Sequence, residues 1–211
     1  MNTLSTNPET IYLRRLSRFI DVVYAVIFFH IVSQYLPHFE EMTWTEKPYG
    51  LLSHLWDGRT EFLRIIIGAG LSLLYWNQNS NIFKHLVKTN YTHAALSLVQ
   101  LFFVVLFVYF AIADPNLETK SSPALQAGAL AIAGFMSIGL WKYAAKNGLV
   151  REEMSDEDIK QVTKTNLMEP LTAVFNVGLA FVGPLVWTLA WFLLPPVFIW
   201  LLKKRKHYTS K

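Results

Sequence analysis

The segment RRLSRFIDVVYAVIFFHIV, residues 14–32, decides how the whole chain is interpreted. A membrane-spanning helix needs about 20 mostly apolar residues, and this segment meets that requirement. It also carries an acid near one end, Asp21, and a histidine, His30. Ionisable side chains are costly in hydrocarbon, so both are expected to face the protein interior or a water-filled path. We therefore expect this helix to form the working surface of the protein and the other apolar segments to surround it.

The composition is typical of a membrane protein. Of the 211 residues, 53% are hydrophobic and 16% are charged, and the hydrophobic residues are collected into runs of membrane-spanning length. The chain contains no cysteine, which excludes a disulfide framework, a thiolate zinc site and an iron–sulfur cluster. The partner expected from these features is a lipid bilayer.

The apolar runs predict an all-α integral membrane protein with one domain, residues 1–211, and six transmembrane helices in a single repeat. The expected spans are approximately 16–36, 61–76, 91–113, 124–143, 167–182 and 185–202. Small residues in the second span, such as Gly68, are expected to let a neighbouring backbone approach closely. The polar run at residues 77–81 is expected to form a turn. Ser155 followed by Asp158 predicts a capping box that starts a short surface helix.

The basic residues predict the orientation of these helices. Fifteen of the 19 lysines and arginines fall in the N-terminal lead-in, the second and fourth loops and the C-terminus, and the remaining four are Lys47, Arg59, Arg64 and Lys120. Basic loops stay in the cytoplasm, so both termini are expected there. The predicted location is the plasma or inner membrane, with a multi-pass topology. Because the basic residues lie beside apolar runs, nucleic acid is not an expected partner.

The sequence lacks the motifs of the usual membrane enzymes. It contains no glycine-rich phosphate loop, no HExxH motif and no paired aspartate motif. Its six histidines lie on different spans and on both sides of the predicted bilayer, which disfavours a haem or metal site. We therefore predict a protein that is not an enzyme and that holds no cofactor, and no metal other than ions in transit.

Several segments resemble the transmembrane protein 175 family of potassium channels. The run Arg15-Leu16-Ser17-Arg18-Phe19-Ile20-Asp21 resembles the R-x-x-x-F-S-D motif that opens the first helix of that family, with Ile20 in place of the serine. Further similarities follow at residues 75–79, 140–145, 169–171 and 183–184. The resemblance covers nearly the whole chain, and the first-helix motif is its most specific part.

The resemblance implies a homotetrameric, potassium-preferring cation channel in which the first helices surround a central pore. The pore-facing residues implied by position are Val22, Val26, His30 and Ser33, whose spacing places them on one helical face. Together with Phe29, the two valines would form a hydrophobic constriction that gates by dewetting. The implied permeant ion is potassium, with protons as a second one, and no cofactor is implied.

The resemblance also implies a polar network that ties the first helix to its neighbours. Its expected members are Arg15, Phe19, Asp21, Trp76, Asn79 and Ser97. Asn79 and Ser97 stand where the family usually has histidine and asparagine, so the network is expected in a modified form. A simpler alternative for Asp21 is an ion pair with Arg18 on the same helix.

His30 leaves two interpretations open. In a pore, four copies would suppress one another's protonation, and they could gate the channel by pH or pass protons. Alternatively, His30 faces a neighbouring helix and forms a hydrogen bond there. Two other classes of function also remain open: a proton-coupled secondary transporter with Asp21 and His30 as relay groups, and a non-conducting membrane scaffold.

Overall fold

The computed structural model describes residues 7–35, 59–114 and 117–208, and these ranges contain helices and turns but no strand. Their seven helices are α1 Pro8–Tyr35, α2 Arg59–Phe83, α3 Tyr91–Ala113, α4 Ser121–Lys146, α5 Asp156–Thr165, α6 Met168–Leu179 and α7 Pro184–Tyr208. A single antiparallel bridge between Leu86 and Val150 joins two of the connections in this described part. The predicted all-α class is confirmed.

Local capping explains where several helices begin. Asn90 precedes α3, and its side-chain oxygen accepts a hydrogen bond from His93 N at 2.8 Å. Ser155 and Asp158 form the predicted capping box of α5, because each side chain accepts a hydrogen bond from the other residue's backbone N–H. α7 begins at Pro184, whose fixed φ suits the first helical position. The caps satisfy amide groups that a helix leaves unpaired at its N-terminus.

The helix bounds differ from the expected spans in several places. α1 begins at Pro8 instead of near residue 16. α2 continues to Phe83, so the turn expected at residues 77–81 is wrong. The reason is that Gln78 and Asn79 are buried, and both side chains form hydrogen bonds to other elements. α6 has 12 residues and is therefore shorter than a helix that crosses a bilayer alone.

Three helical segments of the described residues are long and apolar enough to cross a membrane: Pro8–Ser33, Tyr91–Ala113 and Ser121–Lys146. Pro184–Phe198 is a shorter apolar segment. The count of six spans and the cytoplasmic position of both termini stay predictions. Residues 36–58, which include Lys47, lie outside the described residues.

The helices pack largely in chain order. α1 packs against α2 and α3, α3 against α4, α4 against α6, and α6 against α7. The largest fully buried side chains include Trp141, Tyr75, Phe107 and Leu130. The Tyr75 hydroxyl donates a hydrogen bond to Leu130 O at 2.6 Å, which joins α2 to α4. Dense packing of these large side chains fixes the helices relative to one another.

Two glycines mark positions where helices approach closely. A Cβ atom at Gly68 of α2 would lie 3.3 Å from Ile31 Cγ2 of α1. At Gly134 of α4 a Cβ atom would lie 2.8 Å from Pro170 Cβ of α6, which is closer than such atoms normally approach. The small residue at each position therefore sets the distance between two helices.

One end of the bundle joins the start of α1 to two connections. Val87 N in the α2–α3 connection donates to Leu149 O in the α4–α5 connection at 2.9 Å. Lys88 Nζ lies 3.9 Å from Glu9 Oε2 of α1. These segments belong to the regions whose lysines and arginines predict a common side of the membrane. The side of the membrane that this end faces stays a prediction.

Candidate functional site on the first helix

α1 has two faces of opposite character. The face toward α2 and α3 is buried and carries Leu16, Ile20, Tyr24, Ile27 and Ile31, each at most 6% exposed. These residues recur every three or four positions, so they form one continuous stripe along the helix. This stripe packs α1 onto the rest of the chain.

The opposite face is apolar but exposed in the isolated chain. Phe19 is 54% exposed, Val22 60%, Val26 61% and Phe29 73%. These four residues also recur at intervals of three or four, and we call them the exposed stripe. The stripe contains the three residues expected to form a hydrophobic constriction. A contiguous apolar face of this kind indicates contact with lipid or with another protein surface.

Two polar residues predicted to face a pore lie at the end of the exposed stripe. The His30 side chain is exposed and not enclosed between helices of the chain. Ser33, which is partly buried, donates a hydrogen bond from Oγ to His30 O at 3.0 Å. This bond uses the backbone of His30, so the imidazole nitrogens are not engaged by Ser33.

Asp21 contacts the second helix beside the exposed stripe. Trp76 Nε1 of α2 donates a hydrogen bond to Asp21 Oδ1 at 2.9 Å. Both side chains are exposed, and so are Arg15 and Arg18 on the preceding turns of α1. The contact between Asp21 and Trp76 therefore lies at the surface of the isolated chain, not in a buried network.

A second polar contact lies inside the bundle. Asn79 Nδ2 of α2 donates to the Tyr24 hydroxyl at 3.0 Å and to Gln100 Oε1 at 3.2 Å. The three side chains come from α1, α2 and α3, and all are buried. Because a buried amide without partners is costly, the contact stabilises the relative positions of these helices.

The residues expected to share one network lie at separate places. Ser97 Oγ donates to His93 O at 2.8 Å within its own helix. Phe19 belongs to the exposed stripe, whereas Asn79 lies in the interior. Sequence reasoning missed Tyr24 and Gln100. The available signal was Gln100, because its amide lies within Tyr91–Ala113, the most apolar of the three segments long enough to span a membrane.

The exposed face of α1 can line a water-filled path or form an interface with another protein surface. Its apolar stripe can exclude water, and the ionisable groups Asp21 and His30 lie toward its two ends. Within the described ranges, no group of three or more histidine, aspartate and glutamate side chains is placed to hold a metal ion.

Comparison with known proteins identifies a structural relative. No protein-family model and no curated protein sequence matches the chain. The structure is similar to the crystal structure of a homologue, from Chamaesiphon minutus, of the lysosomal potassium-selective channel TMEM175. The TM-score is 0.66, the sequence identity is 18%, and the similarity covers 92% of this chain and 97% of that chain. The resemblance seen in the sequence is thus confirmed at the level of the fold. Together with the apolar helices, this similarity makes the chain a multi-pass membrane protein with the fold of a TMEM175 channel homologue.

Proposed function

We propose that four copies of the chain form a potassium-preferring cation channel whose pore is lined by the exposed face of α1. The observation that carries the proposal is the exposed stripe on a helix whose opposite face is buried. The fold shared with a homologue of a potassium-selective channel supports it. In this arrangement each subunit contributes one quarter of the pore wall, and no residue has a catalytic role.

Lipid also covers apolar stripes, but the polar residues of α1 favour a position facing protein or water. Asp21 and His30 are exposed on this helix, and ionisable side chains are rarely turned toward hydrocarbon. The exposed side chains along the middle of α3 are apolar: Leu96, Leu98, Val99, Phe102 and Val105. That surface suits lipid, whereas the mixed surface of α1 suits a path for ions.

The constriction would consist of Val22, Val26 and Phe29 from each subunit. A ring of apolar side chains at a narrow point expels water and blocks ions until it widens. Selectivity for potassium over sodium would then depend on pore width and on the cost of removing water from each ion. Ser33 would line the wider part of the pore beyond the constriction.

We further propose that His30 makes conduction sensitive to pH. Protonated imidazoles on the pore wall would add positive charge along the path of a cation and oppose its passage. Acidification should therefore reduce potassium flux, and His30→Gln should remove this dependence while keeping a polar side chain. An unchanged pH profile in His30→Gln would show that another group is responsible.

The absence of cysteine allows a direct test of which face of α1 meets the symmetry axis. Val26→Cys places one thiol on the exposed stripe, and Leu98→Cys places one on α3, where the native side chain is 42% exposed. We expect oxidation to cross-link Val26→Cys subunits, and a water-soluble thiol reagent to block their potassium flux. Leu98→Cys is the matched control and should show neither effect.

Flux into proteoliposomes tests the activity itself. We expect potassium to pass faster than sodium, and Val26→Asn to increase the flux because an amide hydrates the constriction. Slow, saturable potassium flux coupled to protons would show that the protein is a secondary transporter and not a channel. A protein without flux of potassium, sodium or protons, and without a tetrameric assembly, would be a scaffold.

A further inference from the structure

Contacts at two levels fix how the start of α1 lies along the end of α2. Trp76 Nε1 donates to Asp21 Oδ1 at 2.9 Å, and Thr10 Oγ1 donates to Val87 O, just beyond α2, at 3.5 Å. Asp21 and Thr10 are eleven residues apart, and so are Trp76 and Val87. Residues 10–21 and 76–87 therefore run antiparallel in a single register. We call the surface between these two segments the α1–α2 seam.

Three cations lie along the α1–α2 seam. Arg14 and Arg18 follow Thr10 at intervals of four residues, so they lie on the side of α1 that faces the seam. Lys84 lies one residue beyond α2 and three residues before Val87, which brings it to the level of Arg14 in the antiparallel register. All three cations are exposed. Because one helical turn rises only about 5.4 Å, their charged groups can reach a common ligand.

The acidic residues near the seam are engaged elsewhere. Glu9 lies 3.9 Å from Lys88, beyond the three cations. Asp21 accepts its hydrogen bond from Trp76 and forms no ion pair with Arg18. Within the described residues, the three cations thus have no carboxylate partner. A phosphate is the anion that such a group binds best, because a guanidinium can donate two parallel hydrogen bonds to its oxygens.

Apolar side chains continue the seam toward the middle of α2. Trp76 is 39% exposed, and Leu73 and Ile66 are each 47% exposed. Their spacing places Leu73 and Ile66 on the side of α2 that leads to Lys84. Tryptophan is enriched at the level of lipid headgroups, and arginine and lysine extend their charged groups toward that level. The seam therefore presents cations near the helix ends and an exposed apolar surface beyond them.

We propose that the α1–α2 seam binds a phospholipid whose headgroup carries a net negative charge. Its phosphate lies among the side chains of Arg14, Arg18 and Lys84. One acyl chain lies along Leu73 and Ile66. All five side chains are exposed, so the lipid lies on an open surface and requires no internal cavity. Anionic lipids are attracted to basic residues beside a membrane-spanning helix, and this attraction does not depend on ion conduction.

Native mass spectrometry of the purified full-length protein tests the proposal. The probes are phosphatidylglycerol and phosphatidylethanolamine with identical acyl chains. Both contain a phosphate, but only phosphatidylglycerol has a net negative charge. We expect phosphatidylglycerol to be retained in preference. Each of Arg14→Gln, Arg18→Gln and Lys84→Gln should lower its retention about fivefold, as for one cation at a membrane surface, and should leave phosphatidylethanolamine nearly unchanged.

Three further variants serve as controls. Lys84→Arg keeps the charge and should keep the lipid preference. Lys164→Gln removes an exposed cation from the last turn of α5 and should change nothing. Leu73→Asn makes the surface for the acyl chain polar, so it should lower retention of both lipids about threefold without changing the preference.

Three results would overturn the proposal. Equal retention of both lipids by the native protein excludes recognition of the headgroup charge. A loss of phosphatidylglycerol in Lys164→Gln as large as in Lys84→Gln assigns the effect to the overall charge of the protein instead of the seam. If Arg14→Gln and Lys84→Gln dissociate the oligomer and leave the lipid preference unchanged, the seam binds an acidic segment of a second copy of the chain.

Discussion

At the scale of single residues, the hydrogen bond between Trp76 Nε1 and Asp21 Oδ1 is a polar tie between α1 and α2. We expect Trp76→Phe to lower the melting temperature by about 2–4 °C, because one exposed hydrogen bond contributes roughly 1 kcal/mol in a chain of this size. The effect of adding Asp21→Ala should be smaller in Trp76→Phe than in the native protein. Tyr109→Phe, which changes a side chain that is 64% exposed, is the control. Fully additive effects of the two substitutions would show that the bond contributes nothing.

The capping box of α5 gives a prediction about the stability of that helix. Hydrogen bonds from the Ser155 side chain and backbone hold the pKa of Asp158 below its usual range. Its contribution is therefore present above the ordinary aspartate pKa of about 3.9 and is lost as the pH falls through the lower folded value. Ser155→Ala should reduce amide protection in α5 roughly fivefold at neutral pH, as measured by hydrogen exchange. Protection that is equal in both proteins would contradict the role of the cap.

Single residues also show where sequence reasoning reached its limit. The pairing of Asp21 with Trp76 was expected from a family resemblance, and the capping box from local spacing. The contacts of Asn79 with Tyr24 and with Gln100 depend on how three helices are placed relative to one another, and no local pattern contains that information. The family resemblance predicted that polar side chains tie α1 to its neighbours, but only the packing shows which side chains meet.

At the scale of helices, the contact between Gly134 of α4 and Pro170 of α6 sets how closely the two helices pack. Gly134→Ala would place a Cβ atom 2.8 Å from Pro170 Cβ, a distance that requires the helices to separate. We expect a loss of about 1–3 kcal/mol in unfolding free energy, measured by denaturation in detergent. Gly128→Ala is the matched control on the same helix, because its Cβ would meet nothing within 4 Å. An equal change in both variants would show that helix propensity, and not packing, determines the effect.

The helices themselves were predictable to different degrees. α3 has the bounds expected from the sequence, since its apolar run begins beside the cap residue Asn90 and ends at Asp114. The end of α2 was missed because residues 77–81 have the composition of a turn. Gln78 donates to Asn166 O at 3.1 Å, and this long-range contact helps to keep the segment helical. The sequence predicts the end of a helix where neighbouring side chains cap it. It does not predict the end where contacts with distant parts of the chain keep the segment helical.

At the scale of the whole molecule, pH should control the contact between the α2–α3 connection and the α4–α5 connection. This contact lies at the end of the bundle near Glu9. Burial, followed by Lys84 and Arg151, lowers the pKa of His85, although Asp158 acts to raise it. The His85 ring lies 5.9 Å from that of Trp141, and Arg151 N donates to His85 O at 3.0 Å. His85 stabilises the folded state when its imidazole is neutral. Its contribution to stability is therefore present above about pH 6.5 and is lost as the pH falls through the lower pKa of the folded state.

Hydrogen exchange at the amides of Val87 and Arg151 measures this effect. We expect their protection to decrease between pH 7.5 and pH 5, after correction for the intrinsic exchange rate. His85→Phe keeps an aromatic ring against Trp141 and cannot titrate, so its protection should be constant over that range. A parallel decrease in His85→Phe would assign the effect to another group.

In the proposed channel, the attachment of α1 to the neighbouring segments limits how the pore could change its width. Contacts hold α1 near its start, where Glu9 faces Lys88, at Asp21 with Trp76, and near its end, where Ile31 meets Gly68. A helix held at three levels cannot tilt by itself without breaking these contacts. Dilation would therefore require α1 and α2 to move together as a rigid pair. Substitutions on the far side of α2, which never approach an ion, should then alter the open fraction as strongly as changes among the valines.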